Sequence, residues 1–214
     1  MTSKPAIADR SIGDYLSSLG SSAPAPGGGS VAGLIGALAS ALGQMVSSVT
    51  LKGNPDSAIN AQTEALQGRL QDFLAGSEAD EAAYGAYVAA TSLPKGSDFE
   101  KAHRREMLQE ALHVSARTPL AIASNAVGLL ADLIPVIECG GKHILSDAEI
   151  ALLLGEATVV AALVNVRINL PMIRDADVAS SFVEQMAEVE SQAAANADRC
   201  REALARRRSA SSGT

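Results

Sequence analysis

The chain has 214 residues, of which 47% are apolar and 19% charged, enough for one domain with a sizeable core. Aromatic residues make up 3% and Trp is absent, so the apolar mass is Ala, Leu, Val and Ile, which favours closely packed helices over a sheet sandwich. A net charge of −7 argues against nucleic-acid binding as the main function, and the two cysteines, Cys139 and Cys200, make neither a disulfide framework nor a metal motif.

The opening MTSKPAIADR lacks the apolar run of an export signal, and residues 1–10 are expected to form a flexible end. Ser11 is placed to cap a short helix that Gly20 ends. Residues 21–29, SSAPAPGGG, form a loop. Ser30 then opens a helix to about Val49 with an apolar stripe of Val31, Leu34, Ile35, Leu38, Leu42, Met45 and Val49. Its other faces carry Gly33, Gly36, Ala37, Ser40 and Gly43, small enough for a neighbouring backbone to come close, within the chain or across a dimer. The apolar stretch from Val31 to Val46, about 16 residues, falls short of the ~20 that a membrane span needs and reads as a buried helix.

Asp56 or Ser57 begins a long helix to about Ser92, with a kink expected near Gly76, and Leu93-Pro94-Lys95-Gly96 ends it. Ser97 or Asp98 caps the next helix, which runs to about Ala116. Thr118-Pro119 sets a cap residue before a Pro at the first helical position, and a further helix reaches the Pro135 region and stops by Gly140-Gly141. Ser146 caps a very apolar helix from Asp147 to Leu170, closed by Pro171. The last helix covers Asp175 to Arg207, and residues 208–214 are expected to be a flexible end. The expected fold is therefore all-α. It is a single domain over residues 11–207, an up-and-down bundle of seven to eight helices whose short connections make neighbours antiparallel.

Four places break the pattern of a plain bundle. In Pro26-Gly27-Gly28-Gly29-Ser30, three glycines before a helix start allow a backbone to approach a ligand closely, with free amides suited to an anion or a carbonyl; a plain connector has the same composition. Asp80 is a poor mid-helix residue and shares a face with Tyr84, four residues on, and with Tyr87; beside Glu78 and Glu81 it also fits a solvated acidic turn. Ser146-Asp147 follows the Gly140-Gly141 loop and fits an ordinary helix start. Asn165 and Asn169 lie one turn apart on an otherwise apolar helix. Burying an unpaired amide costs on the order of 1–3 kcal/mol, so they must bond to each other, a neighbouring helix, water or a ligand. His103, His113 and His143 form no zinc pattern, and no G-x-S-x-G nucleophile signal appears.

At these residues the sequence resembles the cyclodeaminase domain of formiminotransferase-cyclodeaminase and the stand-alone methenyltetrahydrofolate cyclohydrolases. The resembling segments are SSAPAPGGGSVAGLIGALASALGQMV, the Asp80 to Lys95 stretch ending in LPK, RTPLAIA around Pro119, and ILSDAEIALLLGEATVVAALVNVRINL. They occur in family order over roughly residues 11 to 205. The resemblance implies an all-helical homodimer with a folate pocket near the glycine loop, using a tetrahydrofolate derivative as substrate. No bound cofactor, metal, nucleic acid or membrane is implied. It puts the catalytic carboxylate on Asp80 and a second acidic role on Asp147. The substrate contacts fall on Pro26 to Ser30, Tyr84, Lys95, Ser146, Asn165 and Asn169. Lys52, Lys95 and Lys142 are the candidates to attract the acidic tail of a folate. The implied reaction is hydrolysis of 5,10-methenyl-tetrahydrofolate, with cyclodeamination of 5-formimino-tetrahydrofolate as the close alternative and a non-catalytic helical dimer as the rival of another class. The setting implied by the unpaired cysteines is cytoplasmic.

Overall fold

A computed structural model describes residues 5–53 and 57–209. Six α-helices account for most of them: α1 (Ile12–Leu19), α2 (Gly28–Gly53), α3 (Asn60–Thr91), α4 (Asp98–Cys139), α5 (Leu145–Asn169) and α6 (Ala176–Ser209). Several boundaries follow the local signals. The Ser11 hydroxyl accepts from the Asp14 amide at the start of α1. Ser97 and Glu100 form a reciprocal capping box at the start of α4. Asp175 accepts from the amides of Asp177 and Val178 at the start of α6. Ser57 opens a short 3-10 turn ahead of α3, and Asp56 lies outside the described residues. Ser146 is not a cap, because α5 already begins at Leu145.

The helix count is six rather than seven to eight, and α4 is the reason: it runs unbroken through Pro119 and Pro135. A proline removes one ladder bond and presses on the carbonyl four residues back. The carbonyl that loses its donor at Pro119 belongs to Ser115, and it accepts instead from Asn169 Nδ2 at 3.0 Å. A side chain of α5 thus takes the place of the missing amide, and the helix passes through.

Helices α2 to α5 form a four-helix bundle in which α2 packs on α3 and α5, and α4 on α3 and α5; α6 lies against α4 and α5. The core is aliphatic, with Leu129, Leu130, Leu133, Ile137, Leu152 and Leu163 at its centre and Phe73 as its one fully buried aromatic ring. Arginines of α6 tie it down: Arg201 to Glu156, Arg206 to Glu138 and Arg208 to Glu149.

In α2 the buried face is the small one. Gly29, Ala32, Gly33, Gly36, Ala37, Ser40 and Gly43 pack inward, whereas of the large aliphatic stripe expected to mark the core Leu38, Met45 and Val49 are exposed and Val31, Leu34, Ile35 and Leu42 only half-buried. Leu38, Met45 and Val49 of α2 and Ile150, Leu153, Val160, Val164 and Ile168 of α5 are all exposed. No charged residue lies between Gly28 and Leu51. Helix α2 is also longer than the sequence pattern indicated, at 26 residues. Three helical stretches, Gly28–Gly53, Asp98–Cys139 and Lys142–Met172, are long and apolar enough to cross a membrane by length and composition.

The N-terminal segment is not loose where it is described. Ile7 is buried, its amide donates to Glu78, and Arg10 reaches Glu81. Arg208, expected in the flexible tail, belongs to α6.

The glycines of α2 set the helix spacing. A Cβ on Gly33 would overlap Ser77 Oγ and stand 2.8 Å from the Phe73 carbonyl oxygen, a backbone atom that cannot swing aside. Gly33→Ala is therefore expected to destabilise by about 1–3 kcal/mol, despite the roughly 1 kcal/mol that Ala gains over Gly in a helix. Chemical denaturation, read by the shift in midpoint, checks the sign.

Candidate active site

A cavity of about 380 Å³ opens where the N-terminus of α2 meets the later turns of α3 and the C-terminus of α5. Gly27, Gly28 and Gly29 form one wall, with Pro24 and Ala25 of the preceding loop. Asp80, Tyr84 and Tyr87 of α3 form a second. Asn165, Ile168 and Asn169 of α5 form the third, closed by Ser115 of α4 and Met172.

The first turn of α2 meets α3 through one residue. Ser30 is fully buried. Its carbonyl accepts from Ser77 Oγ at 2.9 Å. Its hydroxyl lies 3.0 Å from the Tyr15 hydroxyl and donates to Glu81 Oε1 at 3.4 Å. Helix α3 therefore holds Ser30 at two points about one turn apart, at positions 77 and 81. Gly29 has a definite reason to lack a side chain, because a Cβ there would coincide with the Asp80 carboxylate.

Asp80 is half-buried. Burial pushes its carboxyl above the ordinary carboxylate range; the Ser30 amide pulls it down, and the neighbouring Glu81 charge pushes it up again. Glu81 is held by Arg10 through a fork of two bonds, Nη1 to Oε1 at 2.9 Å and Nη2 to Oε2 at 3.2 Å. Both side chains are about nine-tenths buried. Tyr15, deep beneath the same turn, has its hydroxyl pushed up in pKa, chiefly by burial.

The two asparagines divide their tasks. Asn169 donates to the Ser115 carbonyl and to the Asn165 carbonyl, clipping α5 to α4. Asn165 Nδ2 donates back to Ala161, which turns its Oδ1 toward the glycine turn, 3.5 Å from where a Cβ on Gly28 would stand.

A sequence profile described as formiminotransferase-cyclodeaminase matches residues 11–188. The chain belongs to the formiminotransferase-cyclodeaminase family. It is 32% identical, over 83% of its length, to methenyltetrahydrofolate cyclohydrolase of Methylorubrum extorquens, covering 88% of that protein. It is 31% identical over 79% of its length to formimidoyltransferase-cyclodeaminase of Rattus norvegicus, of which it spans only 32%. Its fold matches a crystal structure of formiminotetrahydrofolate cyclodeaminase from Thermotoga maritima with a TM-score of 0.82 at 27% identity, covering 92% of this chain and 97% of that one.

Within this member of the formiminotransferase-cyclodeaminase family, the structure gathers some of the expected residues and separates others. Gly27, Gly28, Gly29, Asp80, Tyr84, Asn165 and Asn169 meet at the cavity. Pro26 and Ser30 are buried behind its wall. Ser146 and Asp147 do not join them, since they sit in the first turn of α5, eighteen and more residues from Asn165, or roughly 27 Å along the helix. Lys95 lies past the end of α3, in a separate shallow groove with Asp98, Lys101, Arg104 and Arg105. Lys52 ends α2 and Lys142 precedes α5, so both lie at the far end of the bundle. The sequence patterns did not single out Arg10, Tyr15, Glu81 or Ser115. The pattern at Glu81 was that of a solvated acidic turn, and nothing in the spacing of Arg10 or Tyr15 sets them apart.

Gly29→Ala would move the Asp80 carboxylate off the amides of α2. A misplacement of about 1 Å at a reacting group costs on the order of 100-fold in rate. The expected outcome is a folded protein whose kcat falls by that order, checked by steady-state kinetics beside circular dichroism.

Proposed function

We propose that this chain hydrolyses 5,10-methenyl-tetrahydrofolate to 10-formyl-tetrahydrofolate, with Asp80 as the acid/base. One observation carries the reading: a half-buried carboxyl of raised pKa, packed against Gly29 in the first turn of α2 and facing a cavity walled by glycine backbone, tyrosines and asparagines. The substrate's bridging carbon is an electrophilic amidinium, and a carboxylate beside it stabilises the positive charge. Water adds to that carbon while Asp80 takes one of its protons. The bond from carbon to N5 then breaks, Asp80 gives that proton to N5, the added hydroxyl releases its remaining proton to water, and the one-carbon unit stays on N10 as the formyl group. Tyr84, Tyr87, Ile168 and Met172 supply flat and apolar surface for the folate rings. The open Asn165 oxygen and the Gly27–Gly29 backbone orient them.

The second reading, cyclodeamination of 5-formimino-tetrahydrofolate, uses the same carboxyl. N10 attacks the formimino carbon, ammonia leaves, and Asp80 manages the proton. The name of the Rattus norvegicus relative and of the Thermotoga maritima structure supports it. The stand-alone relative from Methylorubrum extorquens, matched over most of both chains, favours hydrolysis.

Asp80→Asn is expected to lower turnover by about 100- to 10,000-fold. The loss of methenyl absorbance and the release of ammonia from formimino-folate, measured in parallel, assign the reaction. Near-normal turnover of both substrates would remove Asp80 from the mechanism. The same variant carries a stability signature. A carboxyl whose folded pKa is raised favours folding when protonated, and that contribution is lost as pH rises through the folded value. At neutral pH, Asp80→Asn should melt at the same temperature as the native chain or above it.

The chain is also proposed to work as a homodimer in the cytoplasm. The outward faces of α2 and α5 form one uncharged aliphatic slab, of the kind that monomeric proteins seldom leave in water. Its edge reaches the cavity at Ile168, which lies on both surfaces. The outward faces of α3 and α6 carry charges, which favours a second copy over lipid as the cover. Size-exclusion chromatography with light scattering should give twice the chain mass, and Val164→Asp should give the single mass.

A further inference from the structure

Ser30 carries the contact between the glycine turn and Asp80, but its hydroxyl points away from the cavity, into a buried cluster formed by Tyr15 and Glu81, with Arg10 behind. Arg10 also donates through Nε to the Pro5 carbonyl at 3.0 Å, so the segment before α1 is fastened at both ends of that guanidinium. Glu81 follows Asp80 directly in the chain. Around Asp80, Glu81, Tyr84 and Tyr87 come from α3 itself, Arg10 from the N-terminal segment and Tyr15 from α1. Helix α2 offers Ser30, α4 offers Ser115, and α5 offers Asn165 and Asn169, all neutral. Arg10 is the cation among these described residues, and it acts on Asp80 through Glu81.

We infer that Glu81 is a positioning residue for the site: held by the Arg10 fork, it fixes the Ser30 hydroxyl and with it the first turn of α2 beside Asp80, and its charge sets the pH range in which Asp80 works. The inference rests on the reading of Asp80 as the acid/base. It gives the N-terminal segment a role in the reaction, although Arg10 does not line the cavity. A like charge one residue away hinders ionisation of Asp80, and the Arg10 fork offsets it. The two partners therefore act on Asp80 in opposite directions.

The test uses the full chain with methenyl-folate and reads the acidic limb of the kcat profile. Glu81→Gln keeps the shape and acceptor oxygen of the side chain and removes its charge, so the limb is expected to move to lower pH by roughly 0.5–1 unit. Arg10→Met removes the fork that offsets the Glu81 charge, so the limb is expected to move up. The double variant restores a neutral pair and brings the limb back toward that of the native chain. KM should stay within about twofold for Arg10→Met, because the residue is outside the cavity. If both single variants lower kcat equally at every pH and the limb stays in place, the pair is only structural and the inference is overturned. If Arg10→Met does not fold, Glu81→Gln decides alone by the position of its limb. Asp80→Asn separates the two levels. Full turnover by that variant sinks the reading of Asp80, whereas an inactive Asp80→Asn with unmoved limbs sinks only the role of Glu81.

Discussion

The close approach of the first turn of α2 to α3 is the constraint on which the rest of the site depends. It is possible only because Gly29 and Gly33 present no side chain to α3, and it is secured by Ser30, held through its carbonyl and its hydroxyl. The contact stabilises the bundle by satisfying buried polar groups. It also brings the start of a helix, with its free amides, onto a carboxylate. Folding and the preparation of the acid/base are thus one event at this point. The opposing influences on Asp80, burial and a neighbouring charge against a backbone amide, leave a carboxyl able both to accept and to return a proton.

Much of this was legible in the sequence because the signals were local. The caps at Ser11 and Ser97 act within one turn, and the glycine run before Ser30 can hardly be anything but a close approach or a connector. The mid-helix Asp80 and the paired Asn165 and Asn169 stood out because each is costly in an apolar helix unless something answers it. The break expected near Pro119 was wrong for a reason no local pattern contains: the partner that rescues the helix is Asn169, more than fifty residues away. Asp147 sits at the end of α5 opposite the cavity, and Lys95 lies beyond the end of α3 in a separate groove, placements that only the packed bundle reveals. Arg10, Tyr15 and Glu81 were invisible individually, since their meaning lies in a cluster assembled from three separate segments.

The orientation of α2 was the hardest feature to read. Its periodicity separates large aliphatic side chains from small ones, and the usual expectation buries the large ones. Here the inner neighbours are backbones at short range, which only Gly, Ala and Ser admit, and the bulky stripe is left for an outer partner. Close packing, rather than hydrophobicity alone, decides which face of such a helix turns inward.

Pro119 and Asn169 form a pair whose members make sense only together. The proline leaves the Ser115 carbonyl without its own helix's hydrogen, and the amide of Asn169 comes to it across the gap. An imino acid has in effect lent an acceptor from one helix to another, so the wall of the cavity is joined by a bond that neither element keeps for itself. In a lineage where position 119 regains its hydrogen, that acceptor is withdrawn, and an amide at 169 becomes a burden instead of a tie.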